Sequence, residues 1–120
     1  MNNKTLKGKN AVITGCNKGI GKAILVEYAK NGANCICCVR SLSSEFKNFC
    51  KTLASENKIK IDIVKIDLSD NKIIGESVKE IFKITKKIDI LVNNAGILFN
   101  SLFFMTSEKP VSYTHLTLPT

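Results

Sequence analysis

The 120-residue sequence lacks any apolar stretch approaching the ~20 residues that span a bilayer. Residues 1–10 are polar and lysine-rich, without the apolar centre of a signal peptide, so the expectation is a cytoplasmic protein with no membrane partner. Lysine runs are also missing: the lysines behind the formal charge of +8 are spread from Lys4 through Lys87 to Lys109 with no run longer than Lys86-Lys87, which reads as solvated faces and argues against a nucleic-acid partner. Arginine is nearly absent. Arg40 stands alone among 18 basic residues, in the lysine-, asparagine- and isoleucine-rich composition of an AT-rich reading frame, so its presence asks for a reason. Histidine occurs once, as His115, and both prolines fall after Lys109. The five cysteines are an odd number without a secretion signal, which favours buried, reduced thiols over a disulfide framework.

What is present alternates. Asn10 to Thr14 is a β-branched apolar run that stops at Gly15, the pattern of a strand buried on both faces. A helix is expected from Gly19, with Ile20, Ala23, Ile24 and Tyr28 as its apolar face and Asn31-Gly32 as its stop. Cys35 to Val39 reads as a second strand, and Phe46, Phe49, Cys50 and Leu53 mark a second helix. Ile61 to Ile66 makes a third strand, Ile74, Val78, Ile81 and Phe82 a third helix, and Ile88 to Val92 a fourth strand. Strand and helix in alternation predict an α/β fold, a doubly wound parallel sheet with helices on both faces. Because the dinucleotide-binding arrangement has six or more strands in the order 3-2-1-4-5-6, this Rossmann-type sheet is expected to be truncated after the fourth, leaving the apolar flank of that strand open and prone to aggregation.

Between the first strand and first helix stands Thr14-Gly15-Cys16-Asn17-Lys18-Gly19-Ile20-Gly21, a G-x-x-x-G-x-G pattern. Gly15 permits the turn off the strand, Gly19 lets the backbone approach a pyrophosphate, and Gly21 lets the helix pack closely on the sheet. The helix N-terminus then faces an anion with free N–H groups. A mononucleotide P-loop ending in Gly21-Lys22 is excluded, because Cys16 and Ala23 occupy the positions that would need glycine and Ser or Thr. The loop points to a dinucleotide.

Together with Asn93-Asn94-Ala95-Gly96 at the end of the fourth strand, this loop resembles the short-chain dehydrogenase/reductase family, whose order of motifs residues 8–107 follow. The resemblance implies that Gly15, Asn17, Lys18, Gly19, Ile20 and Gly21 hold the phosphates, that Asp67 bonds the adenine edge with Leu68 packed nearby, and that Asn93, Ala95 and Gly96 line the ribose side. It also locates the cofactor choice at the end of the second strand. Val39-Arg40-Ser41 offers no acid to a ribose 2′-hydroxyl, whereas Arg40, with Lys18 as a second cation, suits a 2′-phosphate. NADP(H) is therefore expected over NAD(H).

The Ser, Tyr-x-x-x-Lys and helical Asn that carry the reaction in complete members are not in this chain. Tyr113 is followed four residues on by Thr117 and comes too early, so no catalytic residue is assigned and the fragment is expected to be inactive. Residues 1–109 read as a partial NAD(P)-binding domain. Residues 110–120 break with its lysine-rich composition and resemble translated adaptor sequence, so they are expected to be spurious and His115 to be no base. For a full-length parent the resemblance implies an NADPH-dependent oxidoreductase passing hydride to a carbonyl on a small molecule or an acyl carrier, closest in look to the 3-oxoacyl-acyl-carrier-protein reductases, and assembling as a homo-oligomer. The alternative from another class is a non-catalytic nucleotide sensor or scaffold on the same fold. The Cys35-x-x-Cys38 spacing reads as neither zinc nor redox site, since strand positions 35 and 38 face opposite sides of the sheet.

Overall fold

The computed structural model describes residues 5–66, 71–93 and 112–115. Five strands, β1 (Asn10–Thr14), β2 (Asn34–Val39), β3 (Ile61–Lys65), β4 (Ile90–Asn93) and β5 (Ser112–His115), form one sheet in the order β3-β2-β1-β4-β5. Every pairing is parallel. The helices α1 (Gly19–Lys30), α2 (Ser44–Asn57) and α3 (Asn71–Ile84) alternate with the first four strands, as the sequence pattern requires.

Parallel strands need both faces covered, and strand alternation sorts the apolar side chains into two cores. Ala11, Ile13, Cys35, Cys37, Val39 and Val92 face α1 and α2, meeting Leu25, Ala29, Phe46, Cys50 and Leu53. The intervening residues Val12, Ile36, Cys38, Val64 and Leu91 face α3 and meet Val78 and Ile81. Cys35 and Cys38 thus lie on opposite faces, and all five cysteines are buried free thiols.

The face that α1 buries differs from the expected one. Gly21, Leu25 and Ala29 are inside, Ile24 and Tyr28 are half-buried, and Ala23 and Ile20 are exposed, Ile20 by 48%. The cause is the close approach of the helix: small residues at 21 and 29 bring it onto the strands, and Leu25 between them fills the gap. Asn31 and Gly32 end α1 through their amides, which donate to Glu27, Tyr28 and Ala29 carbonyls. Ser43 caps α2, its Oγ accepting from the Phe46 amide at 3.1 Å.

The sheet does not stop at β4. Residues Ser112 to His115 pair with Ile90 to Asn93 in register, so the flank expected to be open carries a fifth strand. An unpaired edge presents a row of N–H and C=O groups that an extended segment satisfies, and Ser-Tyr-Thr-His is rich in residues that adopt extended backbone.

Candidate cofactor-binding site

Because the strands are parallel, their carboxyl ends lie along one edge. Register pairs Thr14 of β1 with Cys38 of β2, and the Gly15 amide donates to the Cys38 carbonyl at 3.0 Å, so the glycine loop and Arg40 leave the sheet side by side. On the other side of β1 is β4: the chain has run outward through β2 and β3 and then returned across to start again beside β1. A crevice at such a reversal is where doubly wound sheets take their ligands.

The loop is shaped for an anion. Gly15 and Gly19 both have φ of +63°, a left-handed conformation open to glycine at no steric cost. Space above Gly19 is clear, since a Cβ built there meets no atom within 4 Å. Lys18 is the N-cap of α1, in extended backbone, and no side chain caps the helix. Its first amides and the positive end of its dipole are thereby left to a ligand. Lys18, Gly19 and Ile20 are exposed, Asn17 is half-buried, and Gly21 is buried where α1 meets the sheet. Arg40 is exposed at the end of β2, followed by Ser41 and Leu42, with no carboxylate in the run to Ser44.

Of the remaining predicted site residues, the structure places Asn93 and leaves Asp67, Leu68, Ala95 and Gly96 outside the described residues. Asn93 comes to the same edge but is fully buried. The Thr14 hydroxyl lies 3.4 Å from Asn93 Oδ1 and 3.5 Å from the Val92 carbonyl, which ties the ends of β1 and β4 together just before the loop begins. Asn93 therefore positions the crevice from beneath.

Two contributors went unnoticed in the sequence. Thr14 closes an apolar run, and a hydroxyl at the last residue of a central strand is a signal for a tie to a neighbouring strand end. Cys16 gave no clue to its exposure; it is buried under the loop with its thiol 3.6 Å from the Ile13 carbonyl. The thiols around it are shifted by their surroundings: burial, with Cys16 and Cys50 nearby, pushes Cys35 up to about 12, while Cys37 is pushed up by hydrogen bonding to Cys16 and Cys50 and by burial. Cys50 is shifted down, by hydrogen bonding with Cys37 and by the charge of Lys22, against the opposing effect of burial.

At the opposite end of the sheet a cavity of 170 Å³ is lined by Asn10, Asn34, Lys60, Asp62 and Thr85. Its asparagines are engaged with one another and with the backbone of Lys60 and Lys87, which makes it a structural tie between strand starts.

The chain is similar to known proteins over most of its length. The family model for short chain dehydrogenase matches residues 9–115. An L-rhamnose 1-dehydrogenase (NADP(+)) of Thermoplasma acidophilum is 42% identical over 101 residues, covering 84% of this chain and 39% of the relative. A 3-oxoacyl-[acyl-carrier-protein] reductase of Aquifex aeolicus is 35% identical over 103 residues, covering 85% of this chain and 41% of the relative. Among solved structures, L-sorbose reductase of Gluconobacter frateurii, complexed with NADPH and L-sorbose, superposes with a TM-score of 0.68 at 30% identity, covering 78% of this chain and 35% of that one. The chain thus spans about two fifths of the length of the curated relatives it matches.

Proposed function

We propose, for a chain that belongs to the short-chain dehydrogenase family, that it is the cofactor-binding part of an NADP(H)-dependent oxidoreductase that passes hydride to a carbonyl. The observation that carries this reading is Arg40: an exposed cation at the end of β2, beside the uncapped N-terminus of α1, with no acid in the segment that follows. A guanidinium grips a phosphate by paired charge-assisted hydrogen bonds, and a carboxylate in that place would repel it. The L-rhamnose dehydrogenase and L-sorbose reductase, similar in sequence and in fold, are described with NADP(+) and NADPH respectively, and this supports the choice over NAD(H).

The division of labour follows from the residues. Loop amides from Gly15 to Gly21 bind the pyrophosphate, Lys18 adds charge, and Arg40 holds the 2′-phosphate. Thr14 and Asn93 keep the two strand ends in place beneath, and Asp67, Leu68, Ala95 and Gly96 are proposed contacts on the adenosine side. A nicotinamide held there would supply the hydride, and the proton to the substrate oxygen would come from an acid outside the residues assigned here. The fragment alone is therefore inactive, and the parent supplies the Ser, Tyr and Lys. Its substrate is a small-molecule or acyl-carrier carbonyl, with 3-oxoacyl-acyl carrier protein the first to assay. Among the described residues no helix is long and apolar enough to cross a membrane. For the parent we propose a cytoplasmic homo-oligomer with no nucleic-acid partner.

Residues 110–120 are proposed to lie outside the family domain, on their break in composition with residues 1–109. The family match and β5 both run to residue 115, across this boundary. An open sheet edge takes up an extended segment of whatever origin, so pairing with β4 is compatible with a foreign tail. Sequencing the genomic locus past codon 109 tests both proposals. A Ser and a Tyr-x-x-x-Lys in a continuous frame, with NADPH-dependent reduction by the full-length product, is the expected result. A stop after the present tail would replace the enzyme with a nucleotide-binding sensor or scaffold.

A further inference from the structure

β3 stands at one end of the sheet and pairs, among the described residues, with β2 alone, so one of its edges is open. The backbone groups of a strand point alternately to its two sides, and two hydrogen bonds fix which residues of β3 face outward. The Cys35 amide donates to the Lys60 carbonyl at 2.9 Å, and the Ile66 amide donates to the Val39 carbonyl at 2.8 Å. Even-numbered positions from 60 to 66 therefore turn their amides and carbonyls to β2, which leaves those of Ile61, Ile63 and Lys65 on the open edge. In a sheet of order 3-2-1-4-5-6 the third strand is outermost, and strands beyond the fourth do not cover it.

Side chains on this strand are sorted as well. Ile59, Ile61 and Ile63 are half-buried against the α1 and α2 face, and Val64 belongs to the α3 face, so alternation puts Lys60 and Asp62 on the α3 side. Lys60 is exposed and Asp62 half-buried, both at the cavity where the strands start. Neither forms an ion pair with a described residue. Charges on an open edge discourage indiscriminate pairing with other chains. Here they are opposite in sign and two positions apart, so they forbid some registers and favour another.

We propose that β3 pairs antiparallel with β3 of a second copy of this chain, about a two-fold axis at Ile61, joining two sheets into one. A two-fold axis perpendicular to the sheet keeps like faces together, so residues of one face meet only residues of that face. With the axis at Ile61, Lys60 stands opposite Asp62 of the second copy and Asp62 opposite its Lys60, while Ile59 and Ile63 meet on the apolar face. Ile61, whose backbone faces outward, exchanges both hydrogen bonds with its counterpart. Lys60 and Asp62 then fall in the pairs without hydrogen bonds, where side chains come closest. The Ile63 amide reaches the Ile59 carbonyl of the second copy. Beyond this the contact ends, because the Ile59 amide already donates to the Ala54 carbonyl and the chain turns off at Lys58 with φ of +55°. Other axes fail: at Asp62 the axis sets that carboxylate against its own copy, and at Ile63 it sets Asp62 against Val64 and Lys65 against Ile61. The contact depends neither on the cofactor reading nor on the assembly proposed for the parent.

The test is sedimentation of the full chain across a wide concentration range, at low and high salt. The expected result is a monomer–dimer equilibrium whose dimer weakens as salt screens the two charge pairs. Lys60→Asp and Asp62→Lys should each weaken the dimer by about tenfold or more, because symmetry repeats every like-charge clash twice, and the two reversals combined should restore it. Ile61→Pro should abolish it while far-UV circular dichroism stays unchanged, since the amide it removes faces away from β2. Should Ile61→Pro fail to fold, the charge reversals still decide. A monomer at every concentration, a dimer that survives Ile61→Pro in the folded protein, or single reversals that the double reversal does not rescue would each overturn the pairing.

Discussion

The two faces of the sheet are built from the same strands yet packed by different means. On the α3 face, Val12, Ile36, Val64, Val78, Ile81 and Leu91 make an aliphatic layer, with Cys38 its one thiol and Ser77 tied to the Lys65 carbonyl at 3.2 Å. On the α1 and α2 face stand Cys16, Cys35, Cys37 and Cys50, with small residues at Gly21, Ala29 and Ala33. Small residues let α1 approach the strands, and that approach aims its N-terminus at the crevice. The α3 face thus serves stability alone, while the α1 and α2 face also sets the helix against the crevice. Truncating each face at its centre should separate the two roles. Leu25→Ala and Ile81→Ala should each lower unfolding free energy by ~3 kcal/mol in denaturant titrations, both side chains being fully buried. Leu25→Ala, one turn from the loop, should in addition weaken NADPH binding by the folded protein, and Ile81→Ala should leave it unchanged.

Glycine sharpens the same contrast at smaller scale. Gly19 in the loop and Gly75 in α3 both have empty space where a Cβ would go, but only Gly19 has positive φ. Gly19→Ala should destabilise by ~1–2 kcal/mol through left-handed strain. Gly75→Ala should stabilise by ~0.5–1 kcal/mol, because the helix loses the entropic cost of glycine; thermal unfolding of the pair reads both signs. Between them in size is Ser43→Ala, which leaves the Phe46 amide without its cap and should cost ~1 kcal/mol.

The strand order β3-β2-β1-β4 and the glycine loop were legible in the sequence because each rests on local pattern: β-branched runs, helical spacing, and glycines where backbone must turn. The buried face of α1 was not. Hydrophobicity nominated Ile20 and Ala23, whereas the loop fixes the helix's rotation and turns Gly21, Leu25 and Ala29 inward. The Thr14–Asn93 tie joins residues 79 apart, a proximity that exists only once β4 has crossed back to lie beside β1. β5 was missed because its four residues show neither a helix-linked period nor an apolar run; register against β4 defines it. The thiols of the α1 and α2 face likewise come from a loop, a strand and a helix, and strand alternation alone assigns just Cys35 and Cys38 to opposite faces.

The central claim, that the crevice at the ends of β1, β2 and β4 takes a 2′-phosphorylated dinucleotide through Arg40, is tested most directly by calorimetric titration of the wild-type chain and Arg40→Ala with NADPH and with NADH. Charge-assisted hydrogen bonds to a phosphate contribute ~1.5–3 kcal/mol, so wild type should bind NADPH at least about tenfold more tightly than NADH. Arg40→Ala should erase that preference while leaving NADH binding as it was. Equal affinities in the wild type, or a preference that survives the loss of Arg40, would contradict the account.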